Sequence, residues 1–428
     1  MNENKVLTIE GVPADKLVKA MGTPLMVYNQ RALEDRLLEF KTSFVHPDFE
    51  TQIIYASKAF SCVAMLQLVK KAGAGLDVVS GGELAMANHA GFPMDQIVFH
   101  GNNKTPKEIN QAISLGVGNI VIDSVMEFEQ VRCQAIQSKT KTSVIVRVNP
   151  GIEADTHKYI ITASIDSKFG ISIYDTETLL DMIKQITECE YLDFAGIHIH
   201  IGSQIFGIDP FIAAVRKIME FIAVIEKNGY PVRVLDLGGG FAATYVETDT
   251  PLPISLVCNH ILLECANQKK LHNLSLEKVM IEPGRSMVAE AGITLYTVGY
   301  SKQTANKKFV FVDGGMADNI RPALYGALYN CDAANKMDAP RTEKVTIAGK
   351  CCESGDILIE ETMLPPLVPG DIIALYTTGA YGYSMASNYN RLGLPAVVFV
   401  KDGKARCVIN RQSYEDMWRL DTDTKVEL

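Results

Sequence analysis

No stretch of the 428-residue chain is apolar over membrane-spanning length; even 211–225 is interrupted by Arg216, Lys217 and Glu220. Positive charge is not in excess either. A net charge of -9 and a pI near 5.5 leave no general basic surface for a phosphodiester backbone, so nucleic acid is not expected as a partner. The nine cysteines contain no C-x-x-C pair and no regular spacing, and the adjacent Cys351 and Cys352 make a poor metal clamp. An odd count in a chain this long fits reduced thiols rather than a disulfide framework. The start, Met1-Asn2-Glu3-Asn4-Lys5, lacks the basic region and apolar stretch of a signal peptide, which predicts a cytoplasmic protein. Internal repeats and low-complexity linkers are also missing, so no break in composition marks a domain boundary.

What remains is an ordinary globular composition, 47% hydrophobic and 21% charged, in a chain too long for one common core. Short apolar runs at 52–56, 76–80, 97–100, 120–123, 143–149, 194–201, 233–237 and 279–282 alternate with helix-length stretches. One of these places Phe211, Val215, Ile218, Ile222 and Ile225 on a single helical face. Eight alternating units predict an α/β fold whose simplest closed form is a (β/α)8 TIM barrel, spanning 33–290. Beyond it, β-branched runs at 309–312, 345–348, 371–376 and 396–400, with an Asp402-Gly403 hairpin turn, predict a second, mostly β domain. That domain takes in 1–32 and 291–428, and the short strand at 25–28 could join it.

Polar residues gather at the C-terminal ends of the runs, the face on which barrels carry chemistry. Lys58 follows the first, Asp77 and Ser80 close the second, and His100 and Asn149 end the third and fifth. His198 and His200 end the sixth, Gly238-Gly239-Gly240 the seventh and Glu282-Pro283-Gly284-Arg285 the eighth. A lone lysine there is usually a solvated charge, and three glycines alone are usually a flexible turn. Together with a carboxylate they offer an amine, a phosphate cradle and a partner for a pyridine nitrogen, the three anchors of pyridoxal phosphate. Glu282 could also form a plain salt bridge with Arg285. His198 and His200, expected on one side of their strand, could instead ligate a metal in a barrel hydrolase, with His100 as a third ligand. That reading leaves Lys58 and the glycines without a role. Cys352, beside Glu353, reads as a buried thiol in a turn unless a cofactor site makes it a proton donor, and Arg321 reads equally as a carboxylate fork or a surface arginine.

Through these segments the chain resembles the diaminopimelate decarboxylase family, among the barrel decarboxylases that include the ornithine and arginine enzymes. The resemblance covers nearly the whole length and rests on ordered motifs. They are Tyr55-Ala56-Ser57-Lys58-Ala59, Val148-Asn149-Pro150-Gly151 with Thr156-His157, Ser167-Lys168-Phe169-Gly170, His200-Ile201-Gly202-Ser203-Gln204 and Asp236-Leu237-Gly238-Gly239-Gly240-Phe241. Glu282-Pro283-Gly284-Arg285, Cys352-Glu353-Ser354-Gly355-Asp356 and Gly379-Ala380-Tyr381-Gly382 complete the set. The resemblance implies that Lys58 carries pyridoxal 5'-phosphate and that His200 stacks on its ring. Ser203, Gly238, Gly239, Gly240 and Tyr381, with Gly284 and Arg285 beside them, bind it, and Glu282 sits on the ring nitrogen. Asp77 and Glu83 line the site. Cys352 is then the acid that protonates Cα, supplied by the partner subunit of a homodimer.

For the substrate, the resemblance assigns Arg285, Arg321, Tyr325, Glu353 and Tyr381, with the arginines on a distal carboxylate and Glu353 on the distal ammonium. Decarboxylation of meso-2,6-diaminopimelate at its D-centre, giving L-lysine and carbon dioxide, follows as the last step of lysine biosynthesis. One segment departs from the family pattern. After Ser387-Asn388-Tyr389-Asn390 the chain continues Arg391-Leu392-Gly393-Leu394-Pro395 in place of an Arg-Pro-Arg-Pro-like run, which keeps a D-lysine or D-ornithine decarboxylase as an alternative. A catalytically dead regulator of the same fold would be expected to have lost Lys58 or Cys352, and both are present.

Overall fold

In the computed structural model, which describes residues 5–151 and 167–424, the eight apolar runs form eight strands. They are β1 (Glu50–Ala56), β2 (Gly75–Val78), β3 (Ile97–Phe99), β4 (Asn119–Ile122), β5 (Thr142–Asn149), β6 (Leu192–His198), β7 (Val234–Asp236) and β8 (Lys278–Ile281). Each pairs in parallel with the next. Pairing of β8 with β1 closes the ring, so the sheet has no free edge. The motif residues Thr156 and His157 lie outside the described residues.

The crossover helices follow from their termini. Ser80, Thr105 and Ser124 each accept the backbone N–H of a glutamate three residues on, Glu83, Glu108 and Glu127. A cap of this kind contributes about 1 kcal/mol and fixes where the helix starts. The amphipathic stretch is a helix over Asp209–Lys227, and Phe211, Val215, Ile218, Ile222 and Ile225 are all buried. Among the described residues no helix is long and apolar enough to cross a membrane.

Inside the barrel, Ile54, Val98, Val121, Ile145, Ala195 and Met280 pack into one apolar layer, with Val234 against it. Gly75 completes the layer on β2 because a Cβ there would stand 2.5 Å from Ile54 Cδ1. Two residues along from this layer the same inward side turns polar on several strands, as at Asp77 on β2 and Arg147 on β5.

The chain divides into two units: Glu34–Thr244 with Asp249–Met287, which holds the barrel, and Met1–Leu33 with Tyr245–Thr248 and Val288–Leu428. The second is a sheet built on the 12-residue strand Gly292–Gln303. Leu25–Asn29 lies between that strand and Ala396–Lys401, antiparallel to the first and parallel to the second. Ala396–Lys401 turns back into Lys404–Ile409 through Asp402 and Gly403, at φ 52° and 72°, as the Asp-Gly pair predicts.

Candidate active site

Lys58 lies in a one-turn 3-10 segment, Ser57–Ala59, directly after β1, and the Tyr55 hydroxyl pins this turn by donating to the Phe60 carbonyl at 2.7 Å. The β1–β2 register pairs Ala56 with Asp77, which brings Lys58 Nζ to 3.4 Å from Asp77 Oδ2. The lysine side chain is 43% exposed and the aspartate 1%, so a partly exposed amine has its counter-charge fixed beneath it. Asp77 Oδ1 is buried without a hydrogen-bond partner.

The loops after β6 and β7 are tied together. Gln204 donates to the Ala243 carbonyl at 2.7 Å and accepts the Ala243 N–H at 3.1 Å, and the Ile205 N–H donates to the Gly240 carbonyl at 2.9 Å. Gly238 and Gly240 have φ of 67° and 113°, values that other residues adopt at a cost. A Cβ on Gly239 would be 2.4 Å from the Glu282 carbonyl oxygen. The Gly239 N–H donates to His200 Nδ1 at 3.1 Å, which places the proton of a neutral His200 on Nε2. Burial, then the charge of Lys58, holds His200 well below the usual imidazole range, so the ring is neutral. Arg285 does not pair with Glu282. Its Nε and Nη2 reach Ser203 Oγ at 3.1 and 3.0 Å, linking the turn after β8 to the loop after β6.

Glu282 is 6% exposed, with His100 Nε2 at 2.5 Å from one carboxylate oxygen and His198 Nε2 at 3.2 Å from the other. Burial opposes ionisation, but the two histidines outweigh it and hold Glu282 well below the usual carboxylate range. Burial takes His198 down to about 3 against the pull of Glu282, so His198 is neutral. Asp236 shows the opposite response: burial, then the Glu282 charge, lifts it well above the usual range.

Two positioning features were not anticipated from sequence. Arg147 on β5 stacks over the Phe169 ring at 4.4 Å and stands 3.7 Å from Asp123, and its charge acts on Asp77, Asp236 and Glu282. The only signal for it was an arginine inside an apolar run. The second is the pairing of His198 with His100, whose ring centroids are 4.7 Å apart. Strand β6 ends at His198 rather than continuing to Ile201, so His198 and His200 meet different partners. Ligand atoms of His100, His198, Asp236 and Glu282 all lie within 4.8 Å of one another, and His200 is not in that group. Both Glu282 oxygens take imidazole nitrogens, and because His200 stands outside the cluster, the His198–His200 metal pair is not formed among the described residues.

In the other unit, Cys352 and Glu353 are exposed, so Cys352 is not the buried thiol expected of a plain turn. Buried Asp356 organises this segment by accepting the N–H groups of Cys351 at 2.7 Å and Met316 at 2.6 Å. Arg321 is buried, correcting the surface reading. Its guanidinium stacks on Tyr245 at 4.9 Å and donates to the Tyr329 hydroxyl at 2.5 Å. Tyr325 ends the helix Arg321–Tyr325 half-buried, and Tyr381, also half-buried, has φ 58°.

Residues 30–289 match the pyridoxal binding domain of the pyridoxal-dependent decarboxylases, which sets the class. The chain is 45% identical over 417 residues to the diaminopimelate decarboxylase of Halalkalibacterium halodurans, covering 97% of this chain and 95% of that one. Against the Bacillus subtilis diaminopimelate decarboxylase it is 44% identical over 426 residues, covering 99% and 97%. The solved structure of diaminopimelate decarboxylase from M. jannaschii in co-complex with L-lysine is similar at a TM-score of 0.91 and 32% identity, covering 99% of both chains. The chain belongs to the diaminopimelate decarboxylase family. Pyridoxal phosphate is therefore the cofactor, and the residues present fit it: an exposed amine over a fixed acid, a glycine loop with no room for a Cβ, and the orphaned Asp77 oxygen.

Proposed function

We propose that the enzyme removes the carboxylate at the D-centre of meso-2,6-diaminopimelate and releases L-lysine and carbon dioxide. The observation that carries this reading is the barrel mouth, where an ionised, buried Glu282 lies beside the glycine loop and Lys58 stands over Asp77. When bound, the cofactor supplies an electron sink for the pair left on Cα as carbon dioxide departs.

In this reading Lys58 holds the cofactor covalently, and backbone N–H groups of Gly238, Gly239 and Gly240 with Ser203 and Tyr381 hold its phosphate. Arg285 braces Ser203, and Gly284 lets the turn approach β1, since a Cβ there would stand 2.9 Å from Ala56 Cβ. Neutral His200 presents its ring to the pyridine face. Glu282 keeps the ring nitrogen protonated. Cys352 delivers the proton that replaces the lost carboxylate. The exposure of Cys352 and Glu353 supports a homodimer in which they act in the partner's site. Arg321 and Arg285 receive the distal carboxylate and Glu353 the distal ammonium, with Tyr325 beside them. The nine free cysteines fit a cytoplasmic enzyme.

The test incubates cofactor-loaded protein with meso-diaminopimelate, D-lysine and D-ornithine and quantifies products by mass spectrometry. Lysine from diaminopimelate alone is expected. Cadaverine or putrescine as the main product overturns the substrate assignment. Lys58→Ala is expected to abolish turnover and Cys352→Ala to cut it strongly; unchanged turnover in Cys352→Ala removes it as the acid.

A further inference from the structure

Both oxygens of Glu282 are occupied by imidazole nitrogens that come from different strand ends, His100 after β3 and His198 at the end of β6. We infer that His100 and His198 are positioning residues that clamp Glu282 as an oriented anion for the cofactor's ring nitrogen. This inference rests on the assignment of Glu282 under the proposed function.

Glu282 is ionised and can only accept, so both histidines must donate from Nε2. His198 is neutral, and its Nδ1, buried without a partner, is where a neutral Nε2–H tautomer carries its bare lone pair. The neutral His198 lowers the proton affinity of the carboxylate by hydrogen bonding, without adding a positive charge of its own that would repel a pyridinium. A proton shared between Glu282 and a pyridine nitrogen then stays on the ring, which is the stronger electron sink. A single carboxylate in this place would not suffice. Burial alone drives Glu282 toward its neutral form, and at Asp236, equally buried, burial and then the Glu282 charge raise the proton affinity instead.

The groups facing Glu282 are Asp77 from β2, His100 from β3, Arg147 from β5, His198 and His200 from the end of β6, and Asp236 from β7, with Lys58 beyond β1. Arg147 is a cation whatever the pH of the assay. Removal of the His100 imidazole leaves only His198 and Arg147 to hold the Glu282 charge against Asp77 and the burial cost. The carboxylate then takes up a proton in the range where the native one does not.

The experiment measures pyridoxal phosphate binding by the apo-protein, and the absorption of the bound cofactor, from about pH 6 to 8 for wild type, His100→Leu, His100→Gln and Glu282→Gln. His100→Leu is expected to weaken binding about tenfold, the worth of a hydrogen bond to a charged group, and to make the absorption pH-dependent where wild type is flat. His100→Gln, which keeps a neutral donor, is expected to restore most of both. If His100→Leu folds and matches wild type in affinity and pH profile, the clamp is refuted. If Glu282→Gln also matches wild type, the assignment of Glu282 to the ring nitrogen fails with it, so the two failures are separable. Should His100→Leu not fold, nitrogen-15 NMR of histidine-labelled wild-type apo-protein decides. Nε2–H tautomers at both His100 and His198 support the clamp, and a bare Nε2 at either overturns it.

Discussion

The side-chain oxygen of Asn390 accepts the N–H of Cys352 at 2.7 Å, so the proposed acid hangs from the residue immediately before the 391–394 departure. Asn390 and Arg391 both have left-handed backbones, with φ of 53° and 56°. The Arg391 guanidinium donates to the Met417 carbonyl at 2.5 Å, which fastens the same segment to the helix Tyr414–Trp418. The departure at 391–394 therefore bears on how the thiol is held before it bears on what the substrate end contacts.

If that hydrogen bond orders the thiol, Asn390→Ala lowers kcat about fivefold, the worth of one net hydrogen bond, with cofactor absorption unchanged. Asn390→Gly separates the two causes, because it removes the bond and keeps the left-handed backbone free. Steady-state kinetics on both variants is the check. Wild-type turnover in Asn390→Gly would show that backbone conformation alone matters.

The glycine loop offers a sharper steric test. A methyl on Gly239 meets the Glu282 carbonyl at 2.4 Å, and that oxygen belongs to a strand end that cannot move away cheaply. Gly239→Ala should destabilise the apo-protein by about 1–3 kcal/mol and raise the dissociation constant for pyridoxal phosphate at least about tenfold. Thermal unfolding and cofactor titration measure the two effects. Native values for both would mean that the loop relaxes away from β8.

The barrel was legible because its signals are local. Each strand is an apolar run, and a β-α alternation leaves few closed solutions. Lys58, the three glycines and Glu282 were legible for the same reason: each is a residue type with one special ability at a strand end. His100 and Glu282 were visible singly, but their bond joins residues 182 apart, and no short-range pattern reports that. Arg147 hid inside an apolar run because an inward charge at the mouth of a barrel looks, in sequence, like a break in a strand. At His198 and His200 the period-two expectation holds only as far as His198, where the ladder stops and the chain turns toward Gly202 at φ 142°.

Arg321 separates the substrate reading from its alternative. Held between Tyr245 and Tyr329, the guanidinium is fixed in direction, and its charge would have no distal carboxylate to meet in D-lysine. Arg321→Met is expected to lower kcat/KM for meso-diaminopimelate about a hundredfold or more, since a charge-assisted fork contributes about 3 kcal/mol. Any residual turnover of D-lysine should stay unchanged. Equal losses on both substrates would assign Arg321 to packing rather than recognition.

Asp318 predicts a pH signature in the sheet unit that is independent of catalysis. Its carboxyl is buried, accepts the Tyr296 hydroxyl at 2.5 Å and accepts the Gly315 N–H at 2.8 Å. Burial, with the nearby charges of Asp356 and Asp313, outweighs those two donors and lifts it from 3.8 to about 7. A raised value means that the folded protein keeps a proton the unfolded chain has lost. The stabilisation is complete below the ordinary value of 3.8 and is lost as pH rises toward about 7, at a rate approaching 1.4 kcal/mol per pH unit. Asp318→Asn cannot titrate. Across that window the stability of wild-type apo-protein, measured by urea unfolding, should fall relative to the variant, and above about pH 8 the two curves should run parallel, because every other titrating group cancels in the difference. A difference that does not change with pH would place the proton elsewhere and make Asp318 an ordinary ionised acceptor for Tyr296.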